Sequence, residues 1–335
     1  MQKGVLLINL GTPDEPTYRS IRRYLAEFLA DKRVVDLPWP LRYALLYGFI
    51  LPCRTRQTTH AYQAIWTEQG SPLRYHSEQL RDKLQKKLGE QYTVALGMRY
   101  GHPHLLDALQ KLNSCEHITI LPLYPQYSSS ATGSSLEVAL KTLATKTVIP
   151  SLQIIRDFYR DPGFITAQAQ LIQPYLANHD HLLLSYHGLP ERHIRQSGCQ
   201  TICSTTCPRS TTDSTCYRKQ CYQTTASLMS ALHLTEEQVS TGFQSRLGRT
   251  PWIKPYTDDL LHDFINRGIK RLAVACPSFV ADCLETLEEI GLRAKQQWLQ
   301  LGGEQLTLIP CLNDDERWIA SIIRVNAAPH KNTKT

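Results

Sequence analysis

The sequence predicts an α/β protein of two domains, each a parallel sheet flanked by helices, facing one another across a cleft. Three observations lead to this reading. Short apolar runs recur along the chain, and each ends in Gly, Pro or Ser. Stretches of helical period lie between them, which is the pattern of parallel strands with crossover helices. At 335 residues the chain exceeds one small core and suits two domains of ordinary size.

The runs that read as strands are KGVLLINLGTPD (3–14), TVALGMRYG (93–101), HITILPLYPQYS (117–128), LLLSYHGLP (182–190), RLAVACPSF (271–279) and LTLIPCLN (306–313). They are nearly continuous in apolar residues, as expected of strands covered on both faces. SPLRYHSEQLRDKLQKKLGE (71–90) and HPHLLDALQKLNS (102–114) carry helical period. The change-over near 150–160 places a first domain at 1–153 plus 312–330 and a second at 154–311. LPWPLRYALLYGFILPC (37–53) is unusually apolar and interrupted by prolines and Arg42; it reads either as an exposed amphipathic lip or as buried core. Segment 195–221 is polar and rich in Ser and Thr, and reads as an insert in the second domain. The tail NAAPHKNTKT is expected to be disordered.

The net charge is +7 and the pI is near 8.8, but Lys and Arg are scattered. The densest groups, RSIRR (19–23) and CRTR (53–56), are short, so no nucleic-acid partner is expected. An acidic small substrate fits the mild excess of positive charge. No export signal is visible, and no stretch of about 20 apolar residues would span a bilayer. The expected location is cytoplasmic, with peripheral contact to the inner membrane through the lip. Ten cysteines are many, and five fall within 199–221. In a reducing compartment such a group suits a metal or cluster better than a disulfide framework.

Ligands of open α/β sheets gather at the carboxyl ends of the strands. His187 ends the run HLLLSYHGLPERH, and Arg99, Ser128 and Phe279 stand at other strand ends. In CPSFVADCLETLEEIG (276–291), Ser278 can cap a helix beginning near Phe279, which puts Asp282, Glu285 and Glu289 on one face. That face is either solvated acid near a helix start or a carboxylate aimed at His187. GFQSRLGRTPWIKPYTD (242–258) joins Arg246, Arg249, Trp252 and Tyr256, able to hold a flat anionic ligand or to serve as an ordinary Gly/Pro loop. LPLYPQYSSSATGSSLE (121–137) offers backbone N–H groups to an anion, or is a plain cap cluster. GMRYGHP (97–103) adds Arg99 and Tyr100, with His102 and His104 as surface residues.

NLGTPD (9–14), GMRYGHP, LPLYPQYSSSATGSS, SYHGLP (185–190), FQSRLGRTPW (243–252) and DCLETLEEI (282–290) occur in the order of the ferrochelatases. The chain resembles that family from residue 3 to about 326, and most of all its proteobacterial, protoporphyrin-using branch. The resemblance implies insertion of Fe²⁺ into protoporphyrin IX to give protohaem, on two Rossmann-like (chelatase-type) domains. It implies that His187 and Glu285 face each other across the porphyrin centre as the catalytic pair and the contacts of the substrate iron. The chemistry agrees: two pyrrole N–H protons must leave, and a neutral imidazole accepts a proton or binds Fe²⁺. Which residue does which stays open. The matching positions for gripping the ring are Arg99, Tyr100, Ser128, Trp252 and Phe279, with Asp282 supporting Glu285. Cys283 stands where some family members carry His.

The cysteines are spaced C-x3-C-x3-C-x8-C-x4-C and lack the C-x2-C knuckles usual for zinc. Some bacterial ferrochelatases resemble this chain in carrying a cysteine-rich insert that ligates a 2Fe–2S cluster. By that resemblance Cys199, Cys203, Cys207 and Cys216 are the ligands; zinc or no metal are the alternatives. Cys221 lies in YRKQCYQTT, which also resembles cluster-free relatives. The competing functions are a coproporphyrin or other-metal chelatase, and a porphyrin- or haem-binding carrier on the same fold.

Overall fold

Among the described residues, eight strands build two four-stranded parallel sheets of identical strand order. In the first, β1 (Lys3–Thr12), β2 (Tyr92–Gly101), β3 (His117–Pro122) and β4 (Ser151–Ile154) run β2-β1-β3-β4. In the second, β5 (His181–His187), β6 (Val239–Gln244), β7 (Arg271–Ala275) and β8 (Gln305–Leu308) run β6-β5-β7-β8. This computed structural model describes residues 2–199, 202–203, 215–246, 248 and 250–327. Cys207, Arg249 and the tail beyond 327 lie outside the described residues.

The central strands are the most apolar because helices cover both their faces. Leu6, Leu7 and Ile8 of β1 and Leu183 and Leu184 of β5 are fully buried. The expected helices are present as Pro72–Leu88 and Leu105–Lys111. The second seats directly on β2: a Cβ at Gly97 would stand 2.8 Å from the Leu105 Cα, so only glycine admits that approach. Two strands escaped the reading of the sequence, β4 and β6.

The two halves share one core. A single apolar cluster contains Leu7 and Leu121 of the first sheet together with Leu184 and Phe243 of the second. The last helix, Glu316–Ala327, packs on the helices Pro162–Leu176 and Pro72–Leu88, and its Trp318 stacks on Phe158 at 5.2 Å.

Segment 37–53 resolves as a lip rather than core. It forms the helix Trp39–Leu45, a π turn Leu46–Ile50 and the start of the helix Leu51–Ile65. Leu46 and Leu51 are buried against Leu29, whereas Trp39, Leu41 and Phe49 are 70%, 61% and 63% exposed.

Candidate active site

A cleft of about 490 Å³ opens at the carboxyl ends of β5 and β6. One wall is the helix Leu51–Ile65, which turns Arg54, Thr58 and Ala61 toward the cleft and buries Leu51, Thr55, Thr59 and Tyr62 behind. The other wall is the segment Leu284–Ala294, which presents Glu285, Glu288, Glu289 and Arg293. The two walls interlock where Leu284 and Leu287 pack against Ile21, Tyr62 and Ile65. His187, Ser245 and Arg246 complete the lining.

His187 sits where β5 leaves its sheet. Pairing with β7 ends at Leu184, so the sheet no longer satisfies the main chain of His187 on that side. Side chains take over. The His187 N–H donates to Ser278 Oγ at 2.9 Å, and Tyr217 Oη donates to the His187 carbonyl at 2.8 Å. The Gly188 N–H still reaches the Gln244 carbonyl at 2.8 Å. A Cβ on Gly188 would meet that carbonyl at 2.7 Å, so a side chain there would dislodge the turn. The ring is oriented by its own turn: Nδ1 lies 2.6 Å from the Gly188 carbonyl, and a carbonyl can only accept. Nδ1 therefore carries the proton, and Nε2 keeps a lone pair for a proton or a metal ion.

Across the cleft, the helix bearing Glu285 begins later than its sequence suggests. It starts at Leu284, with Cys283 as its cap, because the Ser278 hydroxyl is already taken by His187. From Leu287 the chain winds as a π-helix, so Glu285 and Glu289 share a face and Asp282 stands before the helix, buried. Asp282 accepts from Asn313 Nδ2 at 2.8 Å, Thr286 Oγ1 at 3.1 Å and the Cys311 N–H at 3.3 Å. It holds the helix start rather than the Glu285 carboxylate. Gln244 joins the two sides: its Nε2 donates to the Glu285 carbonyl at 2.7 Å, and its Oε1 accepts from Ser185 of β5 at 2.7 Å.

The surroundings of Glu285 keep their own protons. Burial, and then the carboxylate itself, push the Cys283 thiol well above its ordinary range. Burial raises the Tyr62 phenol likewise, with Glu285 adding to the shift. Glu289 is pinned by the Ser245 N–H at 2.7 Å and by the Ser245 hydroxyl at 2.5 Å. Ser245 holds this position with φ at +66°, a left-handed conformation that a non-glycine residue adopts only under local constraint. The cleft thus gathers the carboxylates of Glu285, Glu288 and Glu289 and the guanidinium groups of Arg54, Arg246 and Arg293. Arg54 faces Arg293, and burial together with that like charge lowers its pKa.

Of the remaining predicted residues, Trp252 and Phe279 flank the imidazole, with ring centroids 6.5 Å and 6.1 Å away. Arg99, Tyr100 and Ser128 are not among the residues that line the cleft. Arg99 and Tyr100 both donate to Asp31 Oδ2, at 2.6 Å and 2.9 Å, and Ser134 joins them at 2.5 Å. Tyr100 is fully buried in this network at the root of the lip. Ser128 caps the turn 129–133 by accepting from the Ala131 N–H. Arg54, Tyr62, Gln244 and Ser245 were missed in the sequence. The signal for the first lay in the spacing 54, 58, 61, a second stripe on an amphipathic helix.

Cys199 and Cys216 are buried and Cys203 is partly so, and the Arg218 guanidinium lies 2.9 Å from Cys203 Sγ. Cysteine sulfurs are the ligands that a soft metal centre takes. Among the described residues, no three His, Cys, Asp or Glu side chains are gathered to hold an ion. Cys221 is fully buried, and burial pushes its thiol well up, so it stays protonated beside Tyr217.

The Ferrochelatase family model matches residues 2–328. A ferrochelatase of Legionella pneumophila is 57% identical over 96% of this chain and 98% of its own length. One of Coxiella burnetii is 47% identical over 96% of this chain and 92% of its own. Among solved structures, a multi-domain protein of Deinococcus radiodurans with structural similarity to chelatases superposes with a TM-score of 0.51 at 11% identity, covering 97% of this chain and 55% of that one; it speaks for the fold alone. On the match along nearly its whole length, the chain belongs to the ferrochelatase family.

Proposed function

We propose that the protein inserts Fe²⁺ into protoporphyrin IX to form protohaem, the final step of haem formation, with His187 and Glu285 as the catalytic pair. The observation that carries the assignment is that these two residues, 98 positions apart by their numbers, line one cleft. The His187 Nε2 lone pair is available to take a pyrrole proton or to meet the metal. Glu285, Glu288 and Glu289 supply negative charge that draws a dication into the cleft. Trp252 and Phe279 offer apolar faces to a flat ring. Arg54 and Arg246 offer cations to its carboxylates. Arg99, Tyr100 and Ser128 serve the ring indirectly, by holding the root of the lip and the turn beside it. The exposed lip covers the apolar substrate and touches the membrane surface.

For the cysteine segment we propose a 2Fe–2S centre on Cys199, Cys203, Cys207 and Cys216. When bound it would supply a cross-link for a polar segment with little apolar surface of its own. Metallation itself moves no electrons.

The experiment mixes purified protein, porphyrin and Fe²⁺ without oxygen and follows absorbance. Wild type should form protohaem, His187→Ala should fall below about a tenth of its kcat while still binding porphyrin, and Glu285→Gln should fall likewise. Binding without turnover in the wild type would indicate a carrier. Preference for coproporphyrin would correct the substrate.

A further inference from the structure

We propose that Tyr217 is a positioning residue for metallation, holding the main chain of His187 from its carbonyl side while Ser278 holds it from its N–H side. The inference rests on the reading of His187 as a catalytic residue. Tyr217 is the first residue of the helix Tyr217–Leu232 and is buried. Its hydroxyl donates to the His187 carbonyl at 2.8 Å. Ser278 Oγ accepts from the His187 N–H at 2.9 Å, so side chains hold the His187 main chain at both its donor and its acceptor.

The directions of these bonds follow from counting protons. Tyr217 has one hydroxyl proton, and a carbonyl can only accept, so that proton goes to His187. Ser278 takes the complementary place and accepts from the His187 N–H. Bonds of this kind, made in a water-poor setting, are stronger than the same bonds in water.

The place of the two bonds explains their need. The β7 side of the sheet stops pairing at Leu184, three residues before His187, so no strand there holds the main chain of His187. Ring orientation follows the main chain, because Nδ1 is tied to the carbonyl of the next residue, Gly188. A tilt of the His187 peptide would swing Nε2 within the cleft, and misplacement of a reacting atom costs rate rather than substrate affinity. Tyr217 also follows Cys216 directly, so the hold on the His187 carbonyl starts from the cysteine-bearing segment.

The test compares Tyr217→Phe, Ser278→Ala, their combination, His187→Ala and a control, Tyr186→Phe. The control also deletes a buried phenol hydroxyl, the one bonded to Thr225 at 3.0 Å, which makes no bond to His187. Tyr217→Phe and Ser278→Ala should each lower kcat about tenfold, with KM for protoporphyrin unchanged within about twofold. The combined variant should lose much less than the product of the single losses, since both release the same stretch of main chain. The imidazole NMR signals of His187 should move in both single variants and stay in place in Tyr186→Phe. Wild-type kcat in Tyr217→Phe, with His187→Ala inactive, would overturn the positioning role and leave the catalytic histidine standing. A loss equal to that of Tyr186→Phe, or fully multiplicative losses, would also overturn it. Full activity in His187→Ala would instead remove the catalytic histidine, and the inference with it.

Discussion

Two lip residues three positions apart should give opposite phenotypes. Phe49 is 63% exposed, whereas Leu46 is 1% exposed and packs with Leu29 and Leu51. An aromatic side chain presents roughly 200 Å², so about 130 Å² of Phe49 is free to enter an apolar surface. At about 25 cal/mol per Å² that area is worth ~3 kcal/mol if wholly buried, and ~1.5 kcal/mol if half buried. Phe49→Ser should therefore weaken binding to anionic phospholipid vesicles at least about tenfold, while changing folding stability by less than about 0.5 kcal/mol. Leu46→Ser removes a packed side chain and buries a hydroxyl, at a cost of about 2–5 kcal/mol in stability. Co-sedimentation with vesicles and urea unfolding read the two effects separately. If Phe49→Ser lowers the urea midpoint as far as Leu46→Ser does, the exposed face is packed in solution. If it sediments with vesicles like the wild type, the lip is not the membrane contact.

Two further expectations follow from other parts of the chain. Protein purified without oxygen should be red-brown with about two irons and two sulfides per chain; Ser at Cys199, Cys203, Cys207 or Cys216 should abolish the colour and Ser at Cys221 should keep it, whereas colourless protein holding one zinc would overturn the cluster. Burial pushes buried His181 down to about 4, with Arg267 adding to the shift, so the unfolded chain takes up that proton first as pH falls. Its stabilising effect is therefore full above the ordinary value of 6.5 and lost on descent toward about 4. His181→Asn should flatten urea stability over that range, and an unchanged slope would refute the account.

Strands were legible where both faces are covered, and obscure where tertiary partners hide the polar groups. The run VSTGFQ of β6 looks unpromising because Ser240 and Thr241 are polar. In the fold each hydroxyl finds a partner on a neighbouring element: Ser240 bonds His181 at 2.8 Å and Thr241 bonds Thr225 at 2.8 Å. Nothing local announces either bond. SLQI of β4 is a short edge strand with Ile154 37% exposed, so burial never imposed an apolar run on it. The lip stayed ambiguous for the opposite reason: an apolar segment shows its composition in the sequence, but not which side of it is covered.

The site shows the same division between local and distant causes. His187 stands out because an imidazole is an odd way to end an apolar strand, and Glu285 because acids recur at helical spacing. Ser278 misled because a Ser before an apolar helix is a good cap, yet its hydroxyl was claimed by a main-chain N–H 91 residues away. Arg99 and Tyr100 looked like ligand-binding groups at a strand end, but a buried carboxylate, Asp31, lies 68 residues before Arg99 and takes both. Hydrogen bonding, the Arg33 N–H included, outweighs burial and holds Asp31 below the usual carboxylate range, so Arg99 has a full negative charge to answer at neutral pH. A partly buried arginine paired to such a carboxylate does not leave it for a solvated ligand without stranding the charge. On the proposed function, the cations that meet an anionic ring are those of the cleft walls, Arg54 above all. It lies beside the positive charge of Arg293, and a ligand carboxylate placed there would relieve that repulsion.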